Sequence, residues 1–205
     1  MNNFRMRDVM GLHAAVETLM FCLRSDSKLR MKILAISGSA RANSTNTAML
    51  RAVAKNAPAT HAVTVFSGIA DLPVFSPDLE EKPLPAPVQV FVDMVDENDC
   101  LIIASPEYVR AIPGGLKNAI DWLVSRDEII EKPIALMHAS HRGDDMLEQL
   151  RLVLSTVSQK FAPDVFVRFE FMKLSPDEIE QQMAMPSHRA DVVRFFQGLT
   201  YHCAK

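Results

Sequence analysis

Short apolar runs alternate with amphipathic stripes along this chain, and that alternation limits its folds more than any other feature. Residues 33–36, 61–66, 101–104, 133–137 and 164–171 read as strands, rich in β-branched and aromatic side chains. Apolar residues three and four apart mark helices over 48–53, 88–95, 116–123, 146–157 and 192–199. Leu101-Ile102-Ile103-Ala104 is apolar throughout, as a strand buried on both faces must be. The pattern predicts an α/β fold, a doubly wound five-stranded parallel sheet with helices on both faces. Ligands in such sheets lie beyond the carboxyl ends of the strands, where the strand order reverses. Three loops are therefore expected to converge, over residues 39–46, 105–113 and 139–143.

The first loop, Ser37-Gly38-Ser39-Ala40-Arg41-Ala42-Asn43-Ser44-Thr45-Asn46, joins a strand to a helix and is dense in hydroxyls. Helix N-termini present unpaired N–H groups and partial positive charge, so an anion is favoured there. Arg41 adds a planar bidentate donor, and the loop reads as a phosphate cradle. The alternative is an ordinary capped turn with Ser44 as N-cap, which needs only one of these residues. The loop has neither the GK[ST] ending of a P-loop nor GxGxxG, and no acidic cluster for magnesium.

The second loop, Ser105-Pro106-Glu107-Tyr108-Val109-Arg110-Ala111-Ile112-Pro113-Gly114-Gly115, mixes a ring, a carboxylate and glycines. Tyr108 either covers a flat ligand or is a half-buried surface aromatic, and Glu107 serves either the site or a local cap or pairing with Arg110. No Ser/His/Asp or Cys/His array accompanies these loops, so no catalytic side chain is assigned.

Composition excludes several partners. The 205 residues carry a net charge of -3, without the basic face of a nucleic-acid binder. No apolar run reaches membrane-spanning length. The three cysteines, Cys22, Cys100 and Cys203, are scattered, and the six histidines form no HxxxH pair. Reduced thiols, a cytoplasmic setting and no metal site are expected, with Cys100 a small buried hydrophobe.

Gly38-Ser39-Ala40-Arg41, Ser44 and Asn46, followed by Pro106-Glu107-Tyr108 and the run from Pro113 to Trp122, resemble the NAD(P)H-dependent FMN reductase family over residues 31 to about 157. That group includes quinone, azo-dye and chromate reductases. The resemblance implies a flavodoxin-like fold, FMN as cofactor and NADPH or NADH as donor. Hydride would pass to flavin N5 and on to a small acceptor such as a quinone, azo dye, chromate or free flavin. Ser39, Arg41, Ser44 and Asn46 would hold the FMN phosphate. Pro106, Glu107 and Tyr108 would line the ring, and Ser140 would approach its edge. Val109 and Arg110 stand where the family carries a small polar and a short uncharged residue. Ser140-His141-Arg142-Gly143 departs from the family's glycine-rich loop. Arg110, His141 and Arg142 are accordingly expected toward the dinucleotide or an anionic acceptor. Two other readings stand beside this one, a flavodoxin-type electron carrier and a sensor without turnover.

Leu116, Ala119, Ile120 and Leu123 form one face of the helix after Pro113, leaving Asn118, Asp121 and Trp122 on another. An outward aromatic there predicts a homo-oligomer, dimer or tetramer, through this face; the alternative packs Trp122 inside its own subunit. Residues 1–30 carry the stripe Leu12, Val16, Leu19, Met20 and Leu23 but no signal-peptide pattern. They are expected to be a helical appendage to a domain spanning 31–205.

Overall fold

A computed structural model describes residues 30–80 and 83–205. The strands are β1 (Met31–Ser37), β2 (His61–Phe66), β3 (Cys100–Ala104), β4 (Ile134–His138) and β5 (Phe161–Arg168). They form one sheet in the order β2-β1-β3-β4-β5 with every neighbouring pair parallel. Seven helices are described: α1 (Thr45–Asn56), α2 (Ala86–Asp96), α3 (Gly114–Asp121), α4 (Asp127–Ile130), α5 (Asp144–Val157), α6 (Pro176–Met183) and α7 (Pro186–Cys203). The strand order reverses between β1 and β3, so the expected doubly wound flavodoxin-like sheet is the one observed.

Successive strand residues face opposite ways. Leu34, Ile36, Leu101, Ile103 and Leu136 pack under α2, α3 and α5, with Phe91, Leu116 and Leu147. Ile33, Ala35, Ile102, Ala135 and Met137 pack under α1, α6 and α7, with Met49, Ile179 and Phe196. Each fully buried Leu, Ile or Phe contributes roughly 1.5–3 kcal/mol of apolar burial. Cys100 is fully buried as well, as expected of a small hydrophobe. No helix among the described residues is long and apolar enough to cross a membrane.

The face of α3 expected to meet a second subunit is instead internal. Trp122 is fully buried, its Nε1–H donates to the Pro73 carbonyl at 2.8 Å, and its ring meets Phe75 edge-on. The Asn118 amide accepts from the Phe75 N–H at 2.7 Å and donates to the Pro73 carbonyl at 2.9 Å. Asp121 pairs with Lys117 within the helix. Helical periodicity divides apolar from polar, but here the proline-rich β2–α2 connection lies over the polar side and consumes its hydrogen bonds.

Two further differences are local. The last strand begins at Phe161 and ends at Arg168, because Pro163 is accommodated at a register irregularity opposite Ile134–Leu136. Proline is tolerated at such bulges and on edge strands, where its missing N–H is not needed. Helix α6 is unanticipated, although Ser175 and Glu178 form a capping box that announces it. The expected extension over residues 1–30 falls outside the described residues, Arg30 excepted.

Candidate active site

The carboxyl ends of β1, β3 and β4 bring the three polar loops together. The Gly38 N–H donates to the Ala104 carbonyl at 2.7 Å, joining the first loop to the end of β3. A Cβ at Gly38 would lie 2.8 Å from Leu116 Cδ2 and from Ser105 Oγ, so only glycine allows this approach. Ser39 is buried, and its hydroxyl accepts from the Arg41 N–H at 3.2 Å. Ser44 is the N-cap of α1, accepting from the Thr47 N–H at 3.3 Å. Ser44 thus takes the N-cap role of an ordinary capped turn. Asn46 sits in the first turn, 6% exposed, and its Oδ1 is buried without a partner among the described residues. Arg41 is exposed.

The second loop is held from the side. Tyr108 and Ala111 exchange both backbone hydrogen bonds, at 3.2 and 3.0 Å, with Val109 and Arg110 at φ 52° and 59° between them. This tight reversal needs two left-handed residues, and Val109 is a β-branched side chain placed there, 98% exposed. Glu107 accepts from the Met146 N–H, so its carboxylate caps α5. Arg110 pairs with Asp145 at 2.5 Å and its carbonyl accepts from Gln149 at 2.9 Å. The paired guanidinium lowers the Asp145 carboxyl below its ordinary range, as Arg168 does for Asp144. Glu107 thus caps α5 from a position that also lines the cleft, and Arg110 is drawn onto α5. Tyr108 is about half exposed.

The third loop follows β4. Ser140 Oγ accepts from the Arg142 N–H at 3.1 Å, and Gly143 adopts φ 104° as N-cap of α5. His138, the last residue of β4, is 1% exposed, and its Nε2 lies 2.5 Å from the Arg142 carbonyl oxygen. A carbonyl only accepts, so Nε2 carries the proton. Burial pushes the ring's pKa down, and Arg168 adds to that, while the Arg142 and Ser105 backbone oppose it. The sequence reading passes over His138; its one signal is a polar residue closing an otherwise apolar strand.

These loops enclose a cleft of about 330 Å³ lined by Thr45, Asn46, Pro106, Glu107, His138, Ala139, Ser140, Arg142, Gly143 and Met172. Of the expected site residues, Asn46, Pro106, Glu107, Ser140 and Arg142 meet in it. Ser44 borders a separate groove with Arg51 and Lys55, and Arg110 is turned to Asp145. His141 is exposed beside the cleft without lining it. The residues fit a flavin nucleotide in two respects. The helix N-terminus offers donors for a phosphate, and the orphaned Asn46 Oδ1 is an acceptor suited to a polyol hydroxyl.

A sequence profile for NADPH-dependent FMN reductase matches residues 31–171. The chain is 34% identical over 114 residues to a quinone reductase of Escherichia coli (strain K12), covering 54% of this chain and 61% of that one. It is 36% identical over 94 residues to a 2-hydroxy-1,4-benzoquinone reductase of Burkholderia sp, covering 46% and 50%. The alignments thus span about half to three-fifths of these curated relatives. Among solved structures, the flavoenzyme NAD(P)H:(acceptor) oxidoreductase FerB from Paracoccus denitrificans superposes with a TM-score of 0.64 at 22% identity, covering 84% of this chain and 98% of that one. With its profile match running from β1 through all five strands, the chain belongs to the NADPH-dependent FMN reductase family.

Proposed function

We propose that this chain is an FMN-dependent NAD(P)H oxidoreductase whose acceptor is a small quinone. The cleft shared by the first turn of α1, the Pro106-Glu107 segment and the Ala139–Gly143 segment carries the reading. The quinone reductases among its relatives supply the acceptor class. FMN, when bound, supplies hydride acceptance and electron delivery, and the protein supplies binding and electrostatics.

Ser39, Arg41, Ser44 and Asn46, with the N–H groups opening α1, would hold the phosphate. Glu107 and Gln149 fasten the second loop to α5, so Pro106 would form a fixed wall for the ring, with the half-exposed Tyr108 beside it. Ser140 also lines the cleft. Arg142 lines the cleft, and its guanidinium forms no ion pair among the described residues. That unpaired charge supports a role for Arg142 toward the dinucleotide phosphate or an anionic acceptor, with His141 beside it. Arg110 is less suited, since Asp145 already neutralises it. A homo-oligomer would use a surface other than the Trp122 face.

The test is purification followed by NADPH oxidation with menadione as acceptor. Release of FMN on denaturation together with acceptor-dependent turnover supports the reading. Bound FMN that NADPH does not bleach identifies an electron carrier instead. A protein that binds no FMN, with or without Arg41→Ala, overturns it.

A further inference from the structure

Met172 is the one residue of the cleft wall that comes from beyond β5. The family profile ends at residue 171, and none of the three expected loops includes it. The segment that carries it is firmly held. Phe171 is buried, stacked on Phe169 with ring centroids 5.1 Å apart and met edge-on by His188. The Leu174 N–H donates to the Phe171 carbonyl at 3.1 Å, closing a four-residue turn. Lys173 takes φ 74° at the third position of that turn, where glycine or asparagine is usual. The chain thus tolerates a left-handed lysine in the turn that sets Met172 against the cleft.

Among the described residues the Met172 side chain has one hydrogen-bond partner, Ser140 on the third loop. Ser140 Oγ accepts from the Arg142 N–H at 3.1 Å and donates its proton to Met172 Sδ at 3.7 Å. A serine hydroxyl has a single proton, and a thioether is a weak acceptor for it. The Arg142 bond fixes the oxygen, so rotation about Cβ–Oγ redirects the proton without moving either segment. A carbonyl oxygen or ring nitrogen brought within reach outcompetes the sulfur. The sulfur itself is polarisable, sits on a flexible side chain and is suited to contact with a flat ring. We propose that Met172 is a ligand-contacting residue of the cofactor cleft, packing its thioether against the ring and serving as the weak resting acceptor from which Ser140 turns its proton to a ring carbonyl or nitrogen. The inference rests on the FMN reading above for the identity of that ring. Leucine in place of Met172 would fill similar space but give the hydroxyl no resting acceptor. Glutamine would hold the hydroxyl more firmly than sulfur does.

The experiment measures FMN dissociation constants by flavin fluorescence titration for the wild type, Met172→Leu and Met172→Gln, each with and without Ser140→Ala. Such a cycle isolates the coupling between the two side chains. The loss caused by Ser140→Ala should be threefold or more in the wild type, larger beside Met172→Leu, and below twofold beside Met172→Gln. Equal losses in all three overturn the proposal. If Met172→Gln fails to fold, the comparison with Met172→Leu decides alone. Contact with the ring is read separately by hydrogen peroxide, which transfers one oxygen to a methionine sulfur and leaves as water. Peptide mass spectrometry should show Met172 oxidised threefold or more slowly with FMN, while Met185, 46% exposed and outside the cleft, is unaffected. Met172 oxidation unchanged by bound FMN overturns the proposal. Absence of FMN binding by the wild type overturns the functional reading instead. The protein alone then still decides the Ser140–Met172 couple. Met172 should oxidise twofold or more faster in Ser140→Ala than in the wild type, and no faster in Ser140→Thr, which keeps the hydroxyl. Equal rates in all three proteins overturn the couple.

Discussion

Glu107, on the loop after β3, accepts the backbone N–H of Met146 in the first turn of α5 at 3.0 Å. Gly143, the N-cap of that helix, has no side chain with which to cap it. A helix N-terminus leaves donors that must be satisfied, and a carboxylate there also meets the positive end of the helix dipole. The cap thus comes from a neighbouring loop 39 residues away in sequence. One bond serves two ends, finishing α5 and fixing the loop that would wall the flavin ring.

Glu107→Ala should accordingly lower unfolding free energy by about 1–2 kcal/mol, the usual cost of a lost cap with a charge-assisted bond. FMN affinity should fall with it, whereas Glu107→Gln should retain part of both. Urea denaturation and flavin fluorescence titration measure the two quantities. Unchanged stability in Glu107→Ala would show that water caps α5 equally well.

Gly38→Ala tests the approach of the first two loops. The new methyl would press on Leu116 and Ser105 at 2.8–2.9 Å. Overpacking of this kind costs about 1–3 kcal/mol. Because the strain falls where β1 and β3 part, FMN binding should weaken more than in an equally destabilised core variant such as Val192→Ala. Matched binding in the two variants would count against a site at this switch point.

Trp122→Phe removes an N–H donor from a buried indole and leaves a small void. The expected loss is about 1–3 kcal/mol in chemical denaturation. Its sedimentation behaviour should match the wild type, because the ring packs against Phe75 and Pro73 of its own chain. A change of oligomeric state with unaltered stability would restore the interface reading.

His138 gives the protein without cofactor a pH signature. Its folded pKa is lowered by burial, so the unfolded chain binds the proton more readily. Stability is then full above the unfolded value of about 6.5 and declines as pH falls through that value toward the folded one. The slope from this one group is at most about 1.4 kcal/mol per pH unit. His138→Gln should flatten that part of the curve, read as the difference between the two proteins' melting profiles from pH 7.5 to 5. Parallel profiles would mean the ring titrates alike in both states.

The parallel sheet and the three converging loops were legible in sequence, because buried parallel strands and strand-loop-helix junctions leave strong local patterns. What the sequence concealed depends on distant chain. Asn118 and Trp122 look solvent-facing by helical period, yet Pro73 and Phe75, more than forty residues earlier, cover them. Glu107 could have served site or cap, and its capping contact depends on where the distant α5 N-terminus lies. His138 carried no motif, since its setting comes from burial at the end of β4 and from the Arg142 carbonyl on the loop that follows. Pairwise backbone contacts of that kind have no signature in residue type.

Arg110 and Arg142 separate most clearly by their partners. Arg110 is 81% exposed at the side chain and bonded to Asp145, and exposed pairs of this sort contribute about 0–1 kcal/mol. Arg110→Ala should therefore leave unfolding free energy nearly unchanged and the KM for NADPH within about twofold. Arg142 lines the cleft with its guanidinium unpaired among the described residues. Arg142→Ala should raise the KM for NADPH several-fold at low ionic strength while kcat holds. Raising salt should erode the difference, since an exposed charge–phosphate contact is screened within about 10 Å at 0.1 M. Arg142→Lys should recover part of the loss, because it keeps the charge but not the bidentate fork. Steady-state kinetics with menadione at two salt concentrations would decide it. A larger KM effect from Arg110→Ala would mean that Asp145 releases its partner when the dinucleotide arrives.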